Sequence, residues 1–295
     1  MYRATEAFGR PFTIGACKPR APPLYPPGME PVRIACVRYL NTAPLIEGLD
    51  RAEGVTLLPA VPSRIADLVA TGEADIGLVS VVDAASMPLA VVPCGMIGSD
   101  GPTLTVRLFS TVPLDRITRL HTDSESHTSV ILARVLLAML HGARPEVIEF
   151  DACGANGQWP ESVLLIGDKV VTGPPPADRY PHQMDLGEAW KNWTGLPFVY
   201  AVWSCCEKDA ASQRIRSAAV LLDRQLRHNQ TRLEWIVANR AAAAGWPAEV
   251  ARRYLGDLLR YRVGPQERRA IERFLTLARE LELLAPRNVI WAWQP

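Results

Sequence analysis

The sequence predicts an α/β fold followed by a helical tail. Up to residue 203, short apolar runs rich in β-branched residues alternate with segments whose apolar residues recur at helical spacing. Strands that alternate with helices in this way favour a parallel sheet with crossover connections. From residue 207 to residue 284 the chain is rich in Ala, Leu and Arg at helical spacing, which predicts three or four amphipathic helices.

Composition narrows the classes of function. The 295 residues are 48% hydrophobic and 21% charged, with a net charge of +1. This near-neutral balance argues against nucleic acid or an anionic membrane surface as a partner, because both select for basic patches. No apolar run is long enough to span a bilayer. The six cysteines form no CxxC pair, so we expect a reduced, cytoplasmic chain.

Residues 1–31 are expected to form a disordered, Pro-rich extension. They contain many prolines, few charges and no apolar stretch of the kind that a signal peptide requires. The folded part is therefore predicted to begin near residue 32.

The first predicted strand, residues 32–37, runs into a polar stretch that leads to a helix. Pro44 suits the first turn of that helix, with Asn41 or Thr42 near its cap. Open α/β sheets bind ligands where a strand ends and a helix begins, so Asn41 is a candidate ligand-binding residue. A plain helix cap is the alternative interpretation of Asn41.

The next segment is a strand–helix–strand unit. Residues 55–60 and 74–80 are apolar runs typical of strands, and residues 64–70 carry apolar side chains on one helical face. Because the links between these elements are short, we expect the strands to pair in parallel through a right-handed crossover.

Residues 98–102, with the sequence Gly-Ser-Asp-Gly-Pro, form the most distinctive stretch. They lie between an apolar run that ends at residue 93 and a predicted strand over residues 104–110. Glycine allows the backbone to approach a ligand closely, and such a turn presents backbone N–H groups and a hydroxyl to an anion. A surface turn between two strands is the alternative interpretation.

A second candidate anion site is the start of the long apolar helix predicted over residues 130–140. Four hydroxyl residues crowd residues 124–129, and free N–H groups at a helix N-terminus attract anions. A single serine would suffice as a cap, so the surplus hydroxyls indicate a carboxylate site. His127 is either a cation for that carboxylate or a solvent-facing loop residue.

The remaining elements complete the alternation. Strands are predicted over residues 147–150, 163–168 and 197–203, and a short helix over residues 185–190. No GxGxxG, P-loop lysine, HExxH, GxSxG elbow or clustered His/Cys set is present, so no metal or nucleotide cofactor is expected.

Several of these stretches together resemble one family. They are Tyr-Leu-Asn-Thr at 39–42, the 98–102 stretch, Arg-Leu-Phe-Ser at 107–110, Thr-Ser at 128–129, Leu-Ile-Gly-Asp at 165–168, Asp-Leu-Gly-Glu at 185–188 and the segment from Trp190 to Phe198. In order and spacing they resemble the chorismate dehydratases of the futalosine route to menaquinone, closely over residues 32–204. The resemblance implies a fold like that of type II periplasmic binding proteins, with two lobes and a ligand cleft between them. One lobe would comprise residues 32–110 plus 204–295, and the other residues 111–203.

The resemblance also implies a reaction and its residues. The reaction is removal of water from chorismate, a small dicarboxylate, to give 3-[(1-carboxyvinyl)oxy]benzoate, without a cofactor or metal. Asn41 and Ser99 would lie at the reacting ring, and a substrate carboxylate would itself be able to take the ring proton. Thr128 and Ser129 would hold a carboxylate on the helix N-terminus. The other implied substrate-binding residues are Tyr39, Leu40, Thr42, Gly98, Asp100, Gly101, Ser126, His127, Asp168 and Asp185.

Two other functions are compatible with the same fold. One is the sister lyase of the route, which acts on cyclic dehypoxanthine futalosine and needs a roomier cleft for a sugar. The other is a non-catalytic protein that binds a small anion, because fold alone does not assign function. The chain also departs from the resembled family at His127, where members usually carry a permanently basic residue.

Overall fold

The computed structural model describes residues 31–122, 127–152 and 158–293. The extension expected over residues 1–31 lies outside this part, apart from Pro31, whose carbonyl oxygen accepts a hydrogen bond from Arg214. None of the helices in the described part combines the length and apolar character needed to cross a membrane.

The described residues form a mixed α/β structure with two sheets. In chain order the strands are β1 (Val32–Cys36), β2 (Val55–Pro59), β3 (Ile76–Ser80), β4 (Leu89–Ser99), β5 (Val106–Ser110), β6 (Arg119–Thr122), β7 (Glu146–Glu149), β8 (Ser162–Ile166), β9 (His182–Asp185), β10 (Phe198–Cys206), β11 (Leu259–Arg260) and β12 (Ile290–Trp291). The α-helices are α1 (Ala43–Ile46), α2 (Pro62–Ala70), α3 (Val81–Ser86), α4 (His127–His141), α5 (Lys169–Thr172), α6 (Leu186–Thr194), α7 (Gln213–Gln230), α8 (Leu233–Arg240), α9 (Ala248–Arg253) and α10 (Pro265–Glu280).

The first sheet has the strand order β11-β4-β10-β3-β1-β2, with β12 paired to β4. Strand β1 lies between β2 and β3 and pairs in parallel with both, so β2 and β3 run parallel as expected for the strand–helix–strand unit but do not pair with each other. Strand β10 runs antiparallel between β3 and β4. The carboxyl ends of β1 and β3 therefore meet at one edge of this sheet.

The second sheet has the order β7-β6-β8-β5-β9. Strand β6 pairs in parallel with β7 and β8, whereas β5 pairs antiparallel with β8 and β9. Strand β9 was not expected from the sequence, where its four residues read as part of a loop and a helix start.

The lobe boundaries expected from the sequence differ from the observed sheet membership. They place β5 in the first lobe and residues 198–203 of β10 in the second, whereas β5 belongs to the second sheet and β10 to the first. A strand joins the sheet whose neighbours satisfy its backbone N–H and C=O groups, and a single apolar run does not reveal which neighbours those are. We propose that the chain crosses between lobes over residues 100–105 and 186–197.

One helix boundary differs from the expectation, whereas the number of tail helices agrees with it. Helix α4 begins at His127, three residues before the expected start, so Thr128 and Ser129 lie in its first turn. The tail forms the four helices α7 to α10, in agreement with the upper predicted number. Helix α10 contacts β10 of the first sheet and also α4, which covers the second.

An aromatic cluster packs the second crossing segment against the first sheet and the C-terminal tail. Trp190 of α6, Phe198 of β10 and Phe274 of α10 are buried, and their ring centroids lie 5.0 to 6.1 Å apart in edge-on arrangements. Such contacts contribute to the packing free energy beyond area burial. The cluster therefore anchors α6, which follows the last strand of the second sheet, to β10 of the first sheet and to α10.

Candidate active site

A cavity lies between the two sheets where their parallel strands end. It is lined from the first lobe by residues that follow β1 and β3, and from the second by the end of β8 and the start of α4. The carboxyl ends of parallel strands are the usual ligand-binding edge of open α/β sheets. The polar residues that line it are Tyr39, Asn41, Ser80, Asp83, Thr103, Thr105, His127, Ser129, Tyr200 and Tyr254.

Asn41 is held rigidly in the loop after β1. The Thr42 hydroxyl donates to the carbonyl oxygens of Val37 at 3.0 Å and Tyr39 at 2.7 Å, and the Tyr261 hydroxyl donates to the Asn41 carbonyl at 3.2 Å. The alternative that Asn41 is a plain helix cap is wrong, because Asn41 lies inside a 3-10 turn over Leu40–Thr42 whose N-cap is Tyr39, and the N-cap of α1 is Thr42.

The side chain of Asn41 presents an unsatisfied acceptor. Its Oδ1 atom is buried and has no hydrogen-bond partner among the described residues. Buried polar atoms in native proteins are almost always hydrogen-bonded, and an exception inside a ligand cavity indicates a partner supplied by the ligand. Among the residues that line the cavity, Asn41 is therefore the one whose side chain we expect to accept a hydrogen bond from a bound ligand.

Ser99 lies behind the cavity wall. It is fully buried, and its hydroxyl lies 3.0 Å from the Thr103 hydroxyl, which in turn lies 2.7 Å from that of Tyr200. Thr103 and Tyr200 line the cavity, whereas Ser99 does not. Burial raises the pKa of Tyr200, so its phenol stays protonated at neutral pH. Any effect of Ser99 on a ligand is transmitted through this hydroxyl chain.

Tyr254 joins the cavity from the C-terminal tail. Its hydroxyl is hydrogen-bonded to that of Thr105 at 2.7 Å, and burial raises its pKa. Its ring stacks on Trp246 with centroids 4.9 Å apart. Neither Tyr200 nor Tyr254 was singled out from the sequence, because each appears there only as one aromatic residue in an apolar segment.

The N-terminus of α4 contributes His127 and Ser129 to the cavity. The imidazole Nδ1 of His127 lies 2.8 Å from Oδ1 of Asp83 on α3, and this hydrogen bond raises the pKa of His127 above its ordinary value. Thr128 is fully buried and its hydroxyl accepts a hydrogen bond from the backbone N–H of Val82 at 3.3 Å, so it does not line the cavity. Ser126 lies outside the described residues.

The other residues implied by the 98–102 stretch have structural roles. Gly98 lies within β4, where an added Cβ would come within 2.5 Å of the Phe198 carbonyl oxygen. Asp100 is exposed and pairs with Lys191 at 2.5 Å. Gly101 adopts a φ of +121°, which strongly favours glycine. Because β4 continues to Ser99, the tight turn of the 98–102 stretch starts only at Asp100. None of the three residues Gly98, Asp100 and Gly101 lines the cavity.

Asp185 ties the first crossing segment to α6. Its buried carboxylate accepts hydrogen bonds from the backbone N–H groups of Thr103 at 2.9 Å and Leu104 at 2.7 Å. It also caps α6 by accepting from the N–H groups of Gly187 and Glu188, each at 3.1 Å. With its acceptor capacity used in this way, Asp185 positions Thr103 and does not itself line the cavity.

Asp168, Leu40 and Tyr39 line a neighbouring pocket of about 460 Å³, and Tyr39 separates it from the cavity. The Asp168 carboxylate accepts a hydrogen bond from the Trp246 indole at 2.9 Å, and burial raises its pKa. In the described part of the chain no three His, Cys, Asp or Glu side chains are grouped so as to hold a metal ion.

Comparison with known proteins gives consistent results. A family profile described as "Menaquinone biosynthesis" matches residues 32–280. A chorismate dehydratase of Thermus thermophilus is 32% identical over 192 residues, which cover 60% of this chain and 70% of that protein. A chorismate dehydratase of Campylobacter jejuni is 26% identical over 140 residues, or 45% of this chain and 59% of that protein.

The fold has solved counterparts. The periplasmic aliphatic sulphonate binding protein SsuA of Escherichia coli superposes with a TM-score of 0.61 at 16% identity, covering 90% of this chain and 93% of that one. At this level of identity the likeness concerns the fold alone. It confirms the two-lobed architecture of periplasmic binding proteins, with the cavity between the lobes.

Proposed function

The chain belongs to the menaquinone biosynthesis family, and from this premise we propose that it is a chorismate dehydratase, a hydro-lyase that converts chorismate to 3-[(1-carboxyvinyl)oxy]benzoate. In this reaction a ring C–H bond and the C–O bond of the ring hydroxyl break. The electron pair of the C–H bond completes the aromatic ring, and the proton and hydroxide leave together as water. Because the product is aromatic, the enzyme has chiefly to orient the substrate and exclude water.

The observation that carries the proposal is the unpartnered Oδ1 of Asn41 in a cavity that is also lined by the hydroxyl groups of Thr103 and Tyr200. An amide oxygen accepts a hydrogen bond from the ring hydroxyl of the substrate, while the Thr103 and Tyr200 hydroxyls bind the departing oxygen. Tyr200 is a poor base at neutral pH because burial raises its pKa. This set of groups supports a reaction in which a substrate carboxylate, and not the protein, takes the ring proton.

A substrate carboxylate is proposed to bind at the start of α4. The helix has 15 residues, and the N–H groups of its first turn attract an anion. Ser129 and His127 flank that end of the helix. The raised pKa of His127 keeps more of the imidazole protonated near neutral pH than in an unperturbed histidine, which favours a carboxylate.

The sequence relatives favour this reaction over that of the sister lyase, because the matched proteins of Thermus thermophilus and Campylobacter jejuni are both chorismate dehydratases. A cytoplasmic location stays a prediction from the sequence.

The test is to incubate the purified protein with chorismate and follow 3-[(1-carboxyvinyl)oxy]benzoate by chromatography. We expect product to form with the unaltered chain and to fall sharply with Asn41→Ala. Turnover of cyclic dehypoxanthine futalosine without turnover of chorismate would assign the sister reaction. Tight binding of chorismate without product in calorimetric titration would assign a binding protein.

A further inference from the structure

The C-terminal tail reaches the cavity through one irregular turn. Between α9 and β11 the chain forms a π-helical turn over Tyr254–Leu258. Such turns are rare and are often found at functional sites. Tyr254, the first residue of this turn, is almost completely buried and lines the cavity. A residue of the tail therefore forms part of the cavity wall.

The ring of Tyr254 is held in place from the side of the tail. It stacks on Trp246 with an interplanar angle of 22° and ring centroids 4.9 Å apart. The Trp246 indole in turn donates a hydrogen bond to the carboxylate of Asp168 at 2.9 Å. Because the ring is fixed by this stack, its hydroxyl occupies a defined place in the wall.

The hydroxyl of Tyr254 forms a pair with that of Thr105. The two oxygens lie 2.7 Å apart, and Thr105 is also buried and lines the cavity. Burial raises the pKa of Tyr254, so the phenol keeps its proton at neutral pH. Two hydroxyl groups carry two protons, and the bond between them uses one, whichever group donates. The pair therefore has one proton left to donate.

That remaining proton lacks an acceptor. In the part of the chain that the structure describes, no carbonyl or carboxylate oxygen is hydrogen-bonded to either hydroxyl, and the buried Oδ1 of Asn41 is itself without a partner. Buried polar groups of native proteins are almost always hydrogen-bonded. The cavity thus offers one donor and one acceptor that are not bonded to each other, which suits a ligand with a hydroxyl group and an acceptor oxygen.

We propose that the Thr105–Tyr254 pair donates a hydrogen bond to the ether oxygen of the substrate. In chorismate this oxygen is attached to the ring carbon next to the one that bears the leaving hydroxyl, so a donor and an acceptor lie side by side. A buried carboxylate needs compensation of its charge, which a single neutral donor does not supply, whereas an ether oxygen is uncharged. The inference rests on the proposed function, in which Asn41 accepts a hydrogen bond from the ring hydroxyl.

Calorimetric titration with two ligands tests this contact. One is the product, 3-[(1-carboxyvinyl)oxy]benzoate. The other is its methylene analogue, 3-(2-carboxyprop-2-enyl)benzoate, which keeps both carboxylates and lacks the ether oxygen. The variant Thr105→Val/Tyr254→Phe removes both hydroxyls and so leaves neither partner unsatisfied. We expect its Kd for the product to rise about 3- to 10-fold, the effect of one net hydrogen bond, and its Kd for the analogue to stay that of the unaltered protein.

The single variants identify which hydroxyl faces the ligand. After Tyr254→Phe the Thr105 hydroxyl keeps its proton, and after Thr105→Val the Tyr254 hydroxyl does. The variant that removes the donor is expected to bind the product as weakly as the double variant, and the other to bind it more tightly. The matched control is Tyr180→Phe, since Tyr180 is also buried and its hydroxyl donates to the Pro160 carbonyl outside the cavity. This control is expected to bind both ligands like the unaltered protein.

Turnover of chorismate is measured separately, so the inference and the proposed function can fail independently. A double variant that binds the product as tightly as the unaltered protein, or that binds product and analogue with equal losses, would overturn the inference even if chorismate is turned over. A loss confined to the product would support the ether contact even without turnover, and the missing turnover would then count against the proposed function alone. An unaltered protein that does not bind the product at all would also overturn the inference.

Discussion

At the scale of single residues, Asn41 and Ser99 have different surroundings, although the resemblance assigns both residues to the reacting ring. Asn41 carries a buried acceptor without a partner in the described chain, whereas the Ser99 hydroxyl is satisfied by Thr103 and fully buried. A buried polar atom that lacks a partner is destabilising unless a ligand supplies one. The two residues are therefore expected to respond differently to substitution.

Asn41→Ala is expected to lower kcat about 10²-fold, the usual effect of removing one preorganised hydrogen-bonding group. The folded structure should tolerate the change, because the loop is held by the Thr42 hydroxyl and by the Tyr261 hydroxyl, which donates to the backbone carbonyl oxygen of residue 41. Steady-state kinetics with chorismate and a thermal unfolding curve measure the two effects. A variant with near-normal kcat would remove Asn41 from the reaction.

Thr103→Val is expected to lower kcat more than Ser99→Ala. Thr103 lines the cavity, and its hydroxyl is hydrogen-bonded to that of Tyr200. Removing the Thr103 hydroxyl therefore acts directly on the substrate and should lower kcat by about 10²-fold. Loss of the Ser99 hydroxyl acts only through Thr103 and is expected to cost about 10-fold or less. The same kinetic assay ranks the two variants, and a larger loss for Ser99→Ala would show that Ser99 contacts the substrate itself.

The pH dependence of substrate binding is expected to follow His127. Its pKa is raised by Asp83, so the imidazole is fully protonated below about pH 6.5, the unperturbed value, and loses its charge only as pH rises through the higher folded pKa. KM for chorismate should therefore increase as pH rises above 7. His127→Arg should give a flat profile because arginine stays charged.

Asp83→Asn provides the complementary control for this profile. Removing the Asp83 carboxylate lowers the pKa of His127, so the increase in KM should move to lower pH. Identical profiles for the native, His127→Arg and Asp83→Asn proteins, measured from pH 5.5 to 8.5, would show that His127 does not face the carboxylate.

At the scale of elements, the start of α6 organises the cavity wall. Asp185 caps the helix and also accepts from Thr103 and Leu104 in the crossing segment, where Leu104 adopts a φ of +70°. A residue other than glycine with positive φ is strained and persists only where its surroundings hold it. The sequence motif at 185–188 is thus explained by helix capping and by anchoring of Thr103.

Asp185→Ala is expected to lower the free energy of unfolding by about 1–3 kcal/mol, because four backbone N–H groups lose their acceptor in a buried site. Urea denaturation measures this change. The control is Asp100→Ala, whose exposed pair with Lys191 should contribute at most about 1 kcal/mol. An Asp185→Ala protein of normal stability with a raised KM would instead indicate substrate contact.

At the scale of the whole molecule, polar contacts at or near the cavity join the two lobes. They include the Asp83–His127 pair, the Val82 N–H bound by Thr128, and the Trp246–Asp168 hydrogen bond. Because the cavity lies between the lobes, we expect a bound substrate to shift the balance between open and closed arrangements of these contacts. Binding and lobe separation are therefore expected to be coupled.

The Val82 amide proton reports this coupling, because it bonds to Thr128 at 3.3 Å, from α3 of the first lobe to α4 of the second. Saturating product is expected to slow its hydrogen exchange by holding the lobes together. The Phe150 amide, which bonds to the Thr122 carbonyl within the second lobe at 3.0 Å, is the control and should not change. Equal exchange at Val82 with and without product would show that binding does not restrict lobe opening.

The sequence by itself determined the alternation of strands and helices, the helical tail and the position of Asn41 at the edge of the sheet where the cavity lies. These features follow from local rules, because apolar periodicity reflects which face of an element is buried and a polar residue at a strand end lies at the binding edge of a parallel sheet. The α4 N-terminus was also predictable, since its hydroxyl-rich first turn is contiguous in the chain.

Only the tertiary structure decided the sheet membership of β5 and β10, the burial of Ser99 and the tyrosines of the cavity. Thr103 meets Tyr200 across 97 residues, and Thr105 meets Tyr254 across 149. No local pattern marks residues that come together over such separations, because strand pairing and lobe packing choose their neighbours. Asn41 was therefore visible in the sequence, whereas the hydroxyl groups that surround it were not.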